Sequence, residues 1–229
     1  MGIAKTKDEI IKLRNAALLG DKCFKHICNF IKVGMTEIEI AKEMDDFFIK
    51  NGASGLSFDT IVGAGKNSAL IHSTPSDNRI KEKDIILLDF GCILDGYCSD
   101  TSRTIFVGEI SEKEAYIYGL VKDAQANAMK NSRVGMLAKE IDDLGRRNII
   151  NAGYDYAHAL GHGVGTEVHE APTISPKRED IIQSNTVYTI EPGIYLENEF
   201  GVRIEDTGIL TNSGFEPFSS ATREIVILK

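Results

Sequence analysis

The stretch HALGHGVGTEVHE, residues 158–170, holds three of the chain's five histidines, side chains able to ligate a metal, move a proton or simply pack in a core. Two runs of strand-like sequence add carboxylates. In DIILLDFGCILDGYCSDTSRTIFVG, Asp95-Gly96 is a favoured two-residue hairpin turn, so residue 94 pairs with 97, 91 with 100 and 89 with 102. Alternation of faces then puts Asp89 and Asp100 on one face as diagonal cross-strand neighbours, barring a bulge. In TVYTIEPGIYLENEFGVRIEDTGIL, a loop centred near Asn198 sets Glu191 opposite Glu205.

Apposed carboxylates repel unless a cation or a shared proton lies between them. Four carboxylates and an imidazole suit two divalent cations with a bound hydroxide as nucleophile. The plainer reading makes these acids solvated outward positions of two hairpins. Against it, Asp89 ends the apolar run IILL and Glu191 ends VYTI, where a carboxylate needs a partner.

The elements that must position these groups can be read from the rest of the chain. Capping boxes at Thr6/Glu9, Thr36/Glu39 and Ser111/Glu114 start helices. Ile10, Leu13, Ala17, Phe24, Ile27 and Ile31 give the first helix one apolar face and carry it to about residue 32. The second helix ends near Gly52, and a further pair covers 111–131 and 136–152. The order helix, helix, strands, hairpin occurs twice. VGM at 33–35 leads to AKEMDD at 41–46, and VGM at 134–136 leads to AKEIDD at 138–143, with spacers that differ by four residues, about one helical turn. The expected fold class is α+β, a single domain over residues 1–229 whose halves each lay helices on a curved antiparallel sheet.

The 229 residues are 42% hydrophobic and 26% charged with a formal net charge of -8, the composition of a globular protein that repels nucleic acid. MGIAKTKDEI lacks the apolar stretch of a secretory signal and no run is long enough to span a bilayer, so a cytoplasmic protein without a membrane partner is expected. Cys23, Cys28, Cys92 and Cys98 show no C-x-x-C spacing and read as reduced thiols. His26 reads as a surface residue on the first helix.

The motifs LLDFG, GYCSDTSRT, HALGHGVGTEVHE, TIEPGIY and GVRIEDT, in this order, resemble the pita-bread dinuclear metallopeptidases, the group of methionine aminopeptidases and Xaa-Pro peptidases. The resemblance implies metal ligands at Asp89, Asp100, His162, Glu191 and Glu205, with Asp100 and Glu205 bridging two ions of Mn, Co or Zn. It makes Glu191 the proton shuttle for a metal-bridging hydroxide, sets His72 near the scissile bond and gives His169 the tetrahedral intermediate. His158 resembles a substrate-pocket histidine, with a core imidazole as the alternative. Gly161, Gly163 and Gly165 let the backbone approach the ions or neighbouring chain.

Arg203, two residues before Glu205, resembles the Xaa-Pro branch, since methionine aminopeptidases typically carry glutamine there and histidine where this chain has Asp206. Such an arginine holds a bridging carboxylate or touches substrate, unless it forms a surface cross-strand ion pair. The implied activity is hydrolysis of an amino-terminal Xaa-Pro bond in short peptides with proline at the second position. Methionine aminopeptidase activity and a non-catalytic peptide-binding member are the alternatives, and a creatinase-like amide hydrolase ranks below both. Xaa-Pro peptidases usually carry an amino-terminal domain that this chain lacks, which leaves homodimerisation open.

Overall fold

The computed structural model describes residues 4–228. Helix α1 (Lys7–Phe30) and α2 (Glu37–Lys50) precede β1 (Gly55–Leu56), β2 (Ile61–Ala64), a 3-10 turn (Gly65–Ala69), β3 (Ile85–Phe90), β4 (Cys92–Leu94), β5 (Tyr97–Cys98) and β6 (Thr101–Val107). The second half repeats the plan with α3 (Glu112–Asn131), α4 (Ala138–Asn151), β7 (Gly161–Gly163), β8 (Glu170–Ile174), β9 (Thr186–Ile190), β10 (Gly193–Leu196), β11 (Phe200–Arg203), β12 (Asp206–Thr211) and β13 (Gly214–Pro217). A short β14 (Ile227–Leu228) closes the chain.

The three hydroxyl capping boxes form as expected, each with the carboxylate reaching back to the cap N–H. Helix α1 stops at Phe30, short of residue 32, because Ile31 turns extended (φ -57°, ψ 131°) to enter the turn at Gly34. Helix α4 starts without a hydroxyl cap. Glu140 accepts from the Leu137 N–H instead, at 2.8 Å.

The internal repeat shows in matching backbone hydrogen bonds. Gly34 N–H donates to Ile80 O and Gly135 N–H to Ile182 O, both at 2.8 Å, with φ of 92° and 91° at the two glycines. Helices α2 and α4 begin at the same distance from these glycines. The VGM echo is therefore structurally equivalent, whereas the AKE echo falls one turn earlier in α4 and does not correspond.

Each half packs its helices on its own sheet. Leu19, Phe24, Met44 and Phe48 meet Ile86, Leu88 and Phe90, while Ala128 and Ile141 meet Tyr188, Ile190 and Leu210. The two larger sheets have the orders β14-β6-β3-β2 and β13-β12-β9-β7-β8, and β1-β4-β5 and β10-β11 form two smaller ones. All pairings are antiparallel except β14 on β6, which runs parallel because the chain crosses over before its last strand; a wholly antiparallel reading misses this pair.

Both hairpin registers agree with the count from their turns. Leu94 pairs with Tyr97 and Asp89 with Ser102 around Asp95-Gly96, whose φ values of 51° and 79° are those of a type I′ turn. Gly193 pairs with Arg203 and Ile190 with Asp206 about Asn198, so Glu191 and Glu205 occupy facing positions between those pairs. Neither hairpin is continuous, however. The strands break at Gly91 and at 99–100, and again at 191–192 and 204–205, because peptide groups there bond elsewhere. Glu205 N–H donates to Ser102 O at 3.0 Å, which joins the two halves beside the acids, and Glu191 N–H donates to Leu160 O at 2.8 Å within the second half.

Candidate metal centre

The nine residues singled out in the sequence, His72, Asp89, Asp100, His158, His162, His169, Glu191, Arg203 and Glu205, all line one cavity of about 380 Å³. Asp89 comes from the end of β3, and Asp100, Glu191 and Glu205 from the hairpin breaks. A strand break frees a carboxylate from the pleat and lets it converge with its neighbours.

His162 sits in β7, its backbone close to adjoining chain. A Cβ at Gly161 would overlap the Thr189 carbonyl oxygen, and one at Gly163 the Ala171 carbonyl. These glycines serve approach to neighbouring chain. His162 Nδ1 lies 3.1 Å from Gly163 O, so the N–H tautomer at Nδ1 donates there and Nε2 faces the acids. Nε2 stands 3.4 Å from Asp100 Oδ2 and 3.4 Å from Glu191 Oε1. One donor atom each from Asp100, His162 and Glu205 lie within 4.8 Å of one another.

Arg203 is 3% exposed, which rules out a surface ion pair. Its Nη2 donates to Asp89 Oδ2 at 2.6 Å, its Nε to Ser102 Oγ at 2.8 Å and its Nη1 to Tyr195 OH at 2.8 Å. Ser102 Oγ in turn donates to Glu205 Oε2 at 2.8 Å. The guanidinium thus grips Asp89 directly and Glu205 through a hydroxyl. With Arg203 donating to it, the Tyr195 hydroxyl donates onward to His158 Nε2 at 2.9 Å, and His158 Nδ1 donates to Ala159 O at 2.7 Å.

Burial pushes the Glu191 carboxyl up to about 7, against the pull of His162 and Arg203, and the Asp89 carboxyl up to about 6. Glu205 is driven well above the usual carboxylate range by burial and by the charges of Asp100 and Glu191. Burial opposes a charged His162, but its hydrogen bond to Asp100 and the charges of Asp100 and Glu191 carry it up to about 9. Burial pulls His158 down to about 4, and burial together with His162 lowers His169, whose ring meets that of His162 edge-on at 4.4 Å.

The residues fit divalent cations. Asp89 Oδ1 is buried without a partner, and crowded carboxylates that would otherwise retain protons surround a single imidazole nitrogen. His72, by contrast, is exposed at the cavity on the loop after the 3-10 turn. His26 is half-buried, pairing with Glu43 at 2.7 Å. Cys98 is a free, buried thiol 3.5 Å from Thr166 O.

Sequence reasoning missed Ser102 and Tyr195. The counted register already set Ser102 opposite Asp89, a usable signal. Tyr195 carried none beyond its place in TIEPGIY.

Among the described residues no helix is long and apolar enough to cross a membrane. The chain is 42% identical over 226 residues to an Xaa-Pro dipeptidase of Pyrococcus furiosus, covering 98% of this chain and 65% of that protein. It is 39% identical over 227 residues to an Xaa-Pro dipeptidase of Lactobacillus delbrueckii, covering 98% and 62%. The solved Xaa-Pro dipeptidase from Bacillus anthracis superposes with a TM-score of 0.97 at 41% identity, over 98% of this chain and 64% of that one. This chain therefore spans a little under two thirds of the length of these relatives. The sequence model of metallopeptidase family M24 matches residues 11–212, nearly the whole length over which the fold and the cavity are built, and the chain belongs to that family.

Proposed function

We propose that this chain is the single catalytic domain of a dinuclear metallopeptidase that hydrolyses an amino-terminal Xaa-Pro bond. The observation that carries the reading is the convergence of Asp89, Asp100, His162, Glu191 and Glu205 on one cavity, with Asp89 Oδ1 left buried and unpartnered. Asp89, Asp100, His162, Glu191 and Glu205 would hold the two ions. Bound there, two ions of manganese, cobalt or zinc supply a water of lowered pKa and polarise the substrate carbonyl.

The chain's own residues supply the rest. Glu191 takes a proton from the attacking water on its carboxylate and passes it to the departing amine. His169 donates to the reacting carbonyl oxygen and His72 stands by the scissile peptide. Phe58, Ile71 and Pro75 give the cavity apolar wall for a proline ring, and His158 adds a neutral imidazole. Arg203 favours the proline-directed branch over methionine removal. A cytoplasmic setting, short peptide substrates and self-association into a homodimer complete the proposal.

The test is a matched panel of an Xaa-Pro dipeptide, an Xaa-Pro-Yaa tripeptide and a Met-Ala-Yaa tripeptide, offered to metal-free protein and after restoring Mn, Co or Zn. Metal-dependent cleavage before proline is expected. Cleavage after methionine alone moves the chain to the other branch.

A further inference from the structure

Glu37, in the first turn of α2, is fully buried, yet every hydrogen-bond partner it has is neutral. Its Oε1 accepts from Ala64 N–H at 2.9 Å, Asn67 Nδ2 at 2.9 Å and Asn78 Nδ2 at 2.9 Å. Its Oε2 accepts from Ser76 N–H at 3.0 Å and Ser76 Oγ at 2.6 Å. A buried carboxylate is costly unless such donors and a helix N-terminus hold it, and Glu37 has both.

These donors lie at the two ends of one segment. Ala64 and Asn67 stand before the loop, Ser76 and Asn78 after it, and between them Ile71, His72, Ser73, Thr74 and Pro75 line the cavity. The loop itself has little packed over it, since Leu70 is 56% exposed and His72 is exposed too. Its position therefore comes from backbone anchors. Besides the Glu37 carboxylate these include Glu37 N–H to Asn78 O at 3.1 Å, Ile38 N–H to Ser76 O at 3.3 Å, Gly201 N–H to Ser68 Oγ at 2.9 Å and Arg203 Nη1 to Ile71 O at 3.3 Å, the last tying the loop to the guanidinium that grips Asp89.

We propose that Glu37 is a positioning residue for the peptidase reaction, a carboxylate peg that closes the base of the 64–78 loop and so sets His72 against the substrate. The inference rests on the reading of His72 as acting beside the scissile bond. Glu37 touches neither substrate nor ions; it acts through the loop. Glu37→Gln keeps the volume but turns an NH2 toward groups that are themselves donors.

The experiment compares wild type, Glu37→Gln, His72→Ala and the double variant, all metal-loaded, in Xaa-Pro hydrolysis, metal affinity and amide hydrogen exchange. Glu37→Gln is expected to lower kcat/KM about 10–100-fold, mainly in kcat, with metal affinity unchanged. In the His72→Ala background the same change is expected to cost no more than about 2-fold, because the effect has already been lost. Exchange at Leu70, Ser73 and Ser76 should quicken about 10-fold while β3 and β6 stay protected.

Multiplicative effects in the double variant, or exchange quickened equally in β3, would overturn the proposal. So would a Glu37→Gln protein with unchanged activity and unchanged loop exchange. If wild type fails to cleave Xaa-Pro bonds, the peptidase reading falls and the exchange pattern alone decides the positioning claim. Ser76→Ala, which removes one hydroxyl donor, provides the milder variant should Glu37→Gln not fold, with the same direction expected at smaller size.

Discussion

Arg203 Nη2 and Asp89 Oδ2 stand 2.6 Å apart in a buried ion pair that reserves one carboxylate oxygen for the guanidinium and leaves the other, Oδ1, without a partner. Residues far apart in sequence thereby decide which atom of Asp89 is free to meet a cation. The pair also sets the direction of the chain of hydrogen bonds through Tyr195 to His158.

Removing Arg203 leaves Asp89, Ser102 and Tyr195 without their donor in a dry setting. Arg203→Ala is expected to cost about 3–5 kcal/mol in urea unfolding of the metal-free protein, the range for breaking a buried pair. Arg203→Lys offers a point charge where a fork is needed, and activity should fall although charge is kept. Unchanged unfolding midpoints would show that the pair is dispensable.

Ser102→Ala removes the hydroxyl between Arg203 and Glu205 and strands a buried acceptor and a buried donor. A loss of about 1–3 kcal/mol is expected, with weaker metal binding because Glu205 is no longer held. Calorimetric titration with manganese and a thermal melt check both parts.

Acidity should govern metal binding in a direction the site dictates. The carboxyls of Asp89 and Glu191 lie above their unfolded values, at about 6 and about 7, so between pH 4 and 7 these two groups hold more protons in the metal-free folded protein than in the unfolded chain. Their contribution to metal-free stability is full below the unfolded values and is lost as pH rises through about 7. Cations must displace those protons, and also the one on His162, so affinity should climb from pH 5 to beyond 7 with protons released. Titration calorimetry in buffers of different ionisation heat measures this release, and a pH-independent affinity would refute it.

Tyr195→Phe should leave the fold intact and cost activity about 10-fold, since it unlinks His158 from Arg203. Histidine NMR resonances provide the check: the His158 Nε2 resonance should shift on losing the Tyr195 hydroxyl while Nδ1 stays protonated toward Ala159 O, whereas His162 should not change.

Much of the site was legible because turns fix registers. Asp95-Gly96 and Asn198 sit at positive φ, so counting outward from these turns pairs Asp89 with Ser102 and sets Glu191 opposite Glu205 from sequence alone. The strand breaks were not legible, for they arise when Glu205 N–H finds Ser102 O across the two halves and Glu191 N–H finds Leu160 O on a neighbouring segment of its own half. The same limit hid the Arg203 fork, since its partners Asp89 and Tyr195 come from separate strands and local pattern says nothing about their meeting. The start of α4 was read two residues early because a Leu137 backbone cap leaves no hydroxyl signal.

The most direct test of the account is a manganese titration of metal-free protein in which bound metal and hydrolysis of an Xaa-Pro dipeptide are followed together, alongside Asp100→Asn. Activity that rises with the second bound ion, and is lost in Asp100→Asn, is the expected result. Cleavage that persists without metal, or no cleavage with two ions bound, would contradict it.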